Sequence, residues 1–243
     1  MQRYDINKKT KMQIDQILKE LKSVSSAEIK AKKEKKFGIV SDNSWGVYQK
    51  DLSYLAKKIG KNTHLGIKLF NTNIYDAQLL CAKICRPEEI SEELMEKWVC
   101  HFNTWEICDS FCMQLFKFHN LAIEKALLWC ERENEFEKRA GFVLMATYGF
   151  ANKNADNEIF EQFFPALIRH AKDERLYVKK AVNWALRQIG KRNIDLQKRA
   201  ISTATEILNL KTRSAQWIAK DALRELQSNK VNILDYPRSI YRK

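Results

Sequence analysis

Glycine and proline are scarce, with seven and three copies in 243 residues, where an average chain devotes roughly one residue in eight to the pair. A β-sandwich, a barrel or a doubly wound α/β fold of this length needs many tight turns, and tight turns use both residues. The shortage argues against all three classes. Neither GxGxxG nor GxxxxGKS/T occurs, so no glycine-rich loop is available to cradle a nucleotide phosphate. No run of about 18 apolar residues is present, and no transmembrane helix is expected. Residues 1–36 are polar and lysine-rich without an apolar centre, so no secretory signal is expected. The six cysteines show no CxxC spacing and lie in apolar surroundings, which fits a reduced cytoplasmic protein. No nucleophile elbow or Ser-His-Asp order can be read.

What is present is a core and a segregated charge. Hydrophobic residues make up 45% of the chain and charged residues 30%, with a net charge of +13. Residues 1–70 carry +9, residues 71–164 carry −7 and residues 165–243 carry +11. Two basic ends around an acidic middle suit a clamp that grips a polyanion, although lysine-rich faces also serve solubility alone. No basic amphipathic helix reads as a membrane-surface anchor, and no membrane partner is expected.

The hydrophobic period is helical almost throughout. Ile14, Ile17, Leu18 and Leu21 form one stripe. Leu52, Leu55, Ala56 and Ile59 form a second, closed by Gly60, and Leu79, Leu80, Ala82 and Ile84 lead to Pro87. Further helices are expected near 89–99, 104–118, 121–132, 136–150, 156–171, 175–190, 194–209 and 213–227. Three of them share a register: Arg139-Ala140, Lys180-Ala181 and Asp221-Ala222 follow at steps of 41 residues. A period near 40 built from paired helices is the mark of HEAT-type repeats. The expected fold is therefore all-α, an α-α superhelix of HEAT-like repeats forming a curved solenoid with a basic concave face. One domain is expected over 1–231, followed by an irregular tail over 232–243.

Few residues carry visible chemistry. Trp105 and Asp109 are spaced i, i+4, behind Thr104 as a cap, and so share one side of a helix. A carboxylate beside an indole face can stabilise a developing cation; a core Trp beside a solvated Asp is the plain alternative. Arg139 reads either as a phosphate or carboxylate ligand or as a surface residue paired with Glu135 or a neighbouring acidic residue. Trp184, Arg187, Gln188 and Lys191 fall on one helical stripe, an aromatic among polar and cationic groups that suits a nucleic-acid backbone. Lys191 and Arg192 follow Gly190 and also suit a helix C-terminus. The Cys81/Cys85 and Cys108/Cys112 pairs, with His101 and His119 nearby, match no metal motif, and core packing is their expected role. Trp98, Trp129 and Trp217 fall on apolar stripes and are expected in the core.

Together, Thr104-Trp105-Glu106-Ile107-Cys108-Asp109, Glu137-Lys138-Arg139-Ala140 and the stretch from Asp173-Glu174-Arg175 to Asn193 carry a resemblance. From about Phe37 to Leu226 the chain resembles the bacterial DNA alkylation repair glycosylases of the HEAT-like-repeat superfamily. The resemblance implies hydrolysis of the N-glycosidic bond of N3- or N7-alkylated purines in duplex DNA. It places the catalytic groups at Asp109, Trp105, Trp184 and Arg139, and a phosphate contact at Arg187. Arg175, Lys179, Lys180, Lys191 and Arg192 of the same stretch are the further expected DNA contacts. No metal and no cofactor are implied, and a monomer associated with the nucleoid would suffice. The chain departs from the pattern at Tyr48 and Ser53, where many relatives carry basic residues. The superfamily also contains proteins that bind DNA of unusual backbone shape without excision, which is the alternative; a protein-scaffolding solenoid is a further one.

Overall fold

Capping oxygens start half of the α-helices among the described residues. In the computed structural model, which describes residues 13–229 and 231, Ser26, Asn62, Ser91, Thr104, Asn193 and Thr212 each accept from the main-chain N–H three residues on. Asn134 accepts from two, Phe136 and Glu137. Glycine ends two early helices: Gly38 and Gly60 adopt φ of 63° and 76°, which a side chain would disfavour. The tail expected over 232–243 lies outside the described residues. Among the described residues there is no β-strand, and no helix is long and apolar enough to cross a membrane.

The helices fall into two compact units, divided after Glu89. The first contains α1 (Ile14–Ser23), α2 (Ala27–Phe37), α3 (Gln49–Ile59), α4 (Thr63–Phe70) and α5 (Tyr75–Ile84). Its polar anchor is Asp76, fully buried at the start of α5. The Asp76 carboxylate accepts from the main-chain N–H of Trp45 (2.6 Å) and Val47 (2.9 Å) and from Ser44 Oγ (3.3 Å). Those bonds tie the α2–α3 connection to α5. Tyr48 and Ser53 are exposed on this unit. Lysines stand near both: Lys50 Nζ lies 5.4 Å from the Tyr48 ring, and Lys83 Nζ donates to Ser53 Oγ at 3.3 Å.

The second unit contains α6 (Glu92–Val99), α7 (Trp105–Gln114), α8 (Ala122–Trp129), α9 (Glu135–Ala151), α10 (Asn157–Glu161), α11 (Phe164–His170), α12 (Leu176–Gly190), α13 (Ile194–Leu208) and α14 (Arg213–Leu226). Two expected helices are broken. The stretch 104–118 ends as an α-helix at Gln114 and resumes as a 3-10 turn at Phe116–Phe118. The stretch 156–171 stops at Glu161 and restarts at Phe164, where Pro165 lacks the N–H that an unbroken helix would need. Helices α2 and α4 were not visible as stripes.

The 41-residue register has a packing meaning. Helix α9 packs on α7, α8 and α12, and α12 packs on α13 and α14. Ala140, Ala181 and Ala222 are each fully buried on these long helices, and a larger side chain there would push the neighbours apart. Gly141 marks a close approach of α9 to α8, since a Cβ there would stand 2.4 Å from Cys130 N and 2.8 Å from Ala126 O, both main-chain atoms of the α8 end. Gly141→Ala is therefore expected to cost at least about 1–3 kcal/mol, read as a lower thermal midpoint. Equal midpoints for Gly141→Ala and wild type would refute the close approach. An aromatic cluster of Trp98, Phe102, Phe111, Phe116 and Trp129, with ring centroids 5.2 to 6.4 Å apart, fills the space between α6, α7 and α8.

Candidate functional site

Thr104 Oγ1 accepts from Ile107 N at 3.3 Å and starts α7 at Trp105. Asp109 then lies one turn after Trp105 on the same side of the helix. Helix α7 is fastened to α9 through two thiols: Cys108 donates to Phe136 O (3.5 Å) and Cys112 to Ala140 O (3.7 Å). Burial pushes the Cys108 thiol well above its usual range, so it stays protonated and able to donate.

This fastening brings Asp109 against Arg139. Arg139 Nε donates to Asp109 Oδ1 at 2.8 Å and Nη2 to Oδ2 at 2.7 Å, a two-pronged ion pair. Nη1 donates to Tyr177 O at 2.7 Å, at the start of α12. The Arg139 side chain is 8% exposed and that of Asp109 15%. Burial raises the Asp109 carboxyl above the usual carboxylate range, with Arg139 pulling it back. Arg139 is desolvated too, yet Asp109 outweighs that cost and holds it firmly charged. Arg139 is thus neither a surface group nor the partner of Glu135, whose carboxylate accepts from Tyr177 N at 3.2 Å. Sequence reading had no signal for Tyr177, whose carbonyl fixes the third prong.

Trp184 sits half-buried two turns beyond Tyr177 on α12, about 10 Å along the axis. With its carboxamide oxygen turned toward them, Gln188 accepts from Trp184 Nε1 (3.2 Å) and Lys191 Nζ (3.1 Å). The stripe expected on α12 therefore exists, but its cations are engaged. Arg187 Nη1 pairs with Glu225 and Nε lies 3.6 Å from Asp221 Oδ2; Lys191 Nζ pairs with Glu225 at 2.5 Å. Neither carboxylate was foreseen, although both lie on the register that continues from α12 to α14.

The remaining expected contacts divide. Lys180 is exposed, and half-exposed Lys179 places Nζ 6.0 Å from the Trp217 ring. Trp217 is 41% exposed and not in the core as expected; its stripe on α14, Arg213-Trp217-Lys220-Arg224, faces solvent. Arg175 is held by both oxygens of Asp173 and by Glu133 O. Arg192 is buried, donating to Gly149 O, Lys153 O and Ala155 O at 3.2 to 3.3 Å, with its guanidinium 4.0 Å over the Phe160 ring. That inward commitment seats it in the packing of the fold and removes it from the surface cations. Gly149 leaves the room, since a Cβ there would stand 2.1 Å from the guanidinium.

The cysteine pairs act as packing groups. Cys81 and Cys85 place their sulfurs 3.6 Å apart in the first unit. His101 Nδ1 binds Lys97 O at 2.7 Å, and His119 binds Ile90 O at 2.9 Å while accepting from Leu121 N. Cys130, Glu131 and His170 bring ligand-type atoms within 4.8 Å of one another. Glu131 there pairs with Arg169 (2.6 Å) and His170 (3.0 Å), and burial pushes the Cys130 thiol up to about 12. A guanidinium on the carboxylate opposes a further cation.

The family model described as "DNA alkylation repair enzyme" matches residues 17–226. A solved structure described as "a new family of proteins related to the HEAT-like repeat DNA glycosylases with affinity for branched DNA structures" superposes with a TM-score of 0.70 at 20% identity, covering 88% of this chain and 95% of that one. The helices therefore adopt the HEAT-like repeat fold. No curated protein matches the chain.

Proposed function

The chain belongs to the DNA alkylation repair enzyme family, and we propose that it is a monofunctional glycosylase acting on cationic N3- or N7-alkylated purines in duplex DNA. The observation that carries the reading is the shielded Asp109–Arg139 pair beside Trp105. A structural ion pair gains little from burial, because desolvation consumes most of the attraction. A pre-aimed carboxylate gains much if it faces a charge that appears only during reaction.

The chemistry follows from the charge on the base. Alkylation at N3 or N7 leaves the purine positive, so the C1′–N bond breaks with its electron pair passing to the base, which leaves neutral. No general acid is needed. Cationic character builds on the deoxyribose, and Asp109 stabilises it. Arg139 occupies one lone-pair site on each Asp109 oxygen, and each oxygen keeps another. One of these orients the water that adds to C1′; the proton it sheds passes to Asp109 or to solvent. The products are a free base and an abasic site. Trp105 and Trp184 present ring faces to the sugar and backbone and add a cation–π contribution. Lys179, Lys180, Arg187 and Lys191 meet phosphates. This work needs no cofactor and no second copy of the chain, and a cytoplasmic, nucleoid-associated setting suits it.

The test is release of methylated bases from methylated duplex DNA. Release by wild type and none by Asp109→Asn is expected. A second reading has its own support in the related structure described as having affinity for branched DNA: the same residues grip DNA of unusual backbone shape without excision. No release by either protein, with binding that weakens steeply as salt rises, selects that reading. No salt-sensitive DNA affinity at all leaves a protein scaffold.

A further inference from the structure

The two cations at the end of α12 do not wait open for a phosphate. Glu225 accepts from Arg187 and Lys191 at once, one oxygen to each, and Asp221 stands 3.6 Å from Arg187 Nε. Asp221 also pairs with Arg224 one turn along α14. Burial alone would raise the Glu225 carboxyl, but the hydrogen bonds from Lys191 and Arg187 outweigh it and hold it below the usual carboxylate range. Glu225 is therefore a full anion at neutral pH. Beside the cluster lies a cleft of about 510 Å³ lined by Arg187, Lys191, Asp221, Arg224 and Glu225. Three cations face two carboxylates, which leaves one positive charge, the complement of a single phosphodiester.

A carboxylate bridging an Arg and a Lys occupies the hydrogen-bonding positions that two phosphate oxygens would take. We propose that Glu225, assisted by Asp221, is an internal competitor for the phosphodiester at the Arg187–Lys191 seat, and so sets DNA affinity and selectivity at this end of the interface. The proposal rests on the reading of Arg187 and Lys191 as phosphate ligands. A DNA phosphate enters by exchanging with Glu225, so the seat adds little affinity for a backbone that cannot reach into the cleft. A backbone distorted enough to insert a phosphate gains both cations. Because Gln188 joins Lys191 to Trp184, the exchange takes place next to the indole proposed to face the lesion.

The experiment measures dissociation constants for an unmodified duplex across a salt series with wild type, Glu225→Gln, Asp221→Asn and the double variant Glu225→Gln/Arg187→Gln. Glu225→Gln keeps the shape and removes the competing charge. It is expected to bind about three- to tenfold tighter at low salt, and its log–log salt slope should steepen by about 0.9 for each cation released. Asp221→Asn should move the same way by less, and the double variant should lose the gain. Thermal midpoints report whether each variant is folded. Wild-type affinity and slope in a folded Glu225→Gln overturn the proposal while leaving the DNA-binding reading intact. If Glu225→Gln loses its fold, unchanged affinity in folded Asp221→Asn decides against it in the same way. Absence of salt-sensitive binding in every protein overturns the reading beneath it and the proposal together.

Discussion

Asp109→Asn is expected to lower release of 7-methylguanine from methylated duplex DNA by at least about a hundredfold, a loss of the size seen when one group aimed at transition-state charge is removed. Affinity for unmodified duplex DNA should change by less than about threefold, because in the proposed role the carboxylate meets the charge that develops at the sugar and not a phosphate. The amide is nearly isosteric, but Arg139 then stands over a neutral group, and one prong of the fork meets an NH2. Some loss of thermal midpoint accompanies the kinetic loss, so the decisive number is the single-turnover rate at saturating protein. A pH profile adds a second readout. Burial raises the Asp109 carboxyl above the usual carboxylate range, and the proposed role requires the ionised group. Wild-type excision should therefore fall on acidification at a higher pH than an ordinary aspartate would dictate. Release at the wild-type rate by Asp109→Asn would remove Asp109 from the chemistry.

Arg139→Leu is expected to be the most destabilising change at the site. It strands a carboxylate whose side chain is 15% exposed and leaves the Tyr177 carbonyl without its donor. Breaking a buried pair from one side costs about 3–5 kcal/mol, and a shift of roughly 2–4 °C per kcal/mol applies to chains of this size. The deficit should shrink as pH falls. Without Arg139 nothing pulls the Asp109 carboxyl back down, so its folded-state pKa rises further above the unfolded one. The penalty is present above that folded pKa and relieved as protons bind below it. Activity should move the opposite way, with the acid limb shifted to higher pH. Arg139→Lys keeps the charge without the fork, and should restore most of the midpoint while leaving excision well below wild type. A midpoint for Arg139→Leu within a degree of wild type would show that the pair is not buried as described.

How legible the site was depends on the range of the interactions involved. Trp105 and Asp109 share a helix face through their i, i+4 spacing, and the Thr104 cap that starts the helix is local too. The stripe of Trp184, Arg187, Gln188 and Lys191 needs only the helical period. By contrast, the two readings of Arg139 could not be separated, because its partner Asp109 lies 30 residues away and Glu135, four residues off, was the nearer candidate. Arg192 looked like a surface cation for the same reason: the three carbonyls that take up its guanidinium lie 37 to 43 residues upstream. Trp217 looked apolar by type, and type says nothing about which stripe of α14 finds a neighbour.

The sequence by itself determined most of the helices, the Thr104 cap and the 41-residue register, because a helical period and a capping oxygen act within a turn or two of chain. Tertiary structure alone decided which charges meet. It turned Arg139 inward to Asp109, closed Arg187 and Lys191 with Glu225, and sank Arg192 beneath Gly149. Those outcomes depend on side chains brought together from helices some thirty to forty residues apart, where packing of the alanine and glycine positions sets the distances, and no local pattern encodes them.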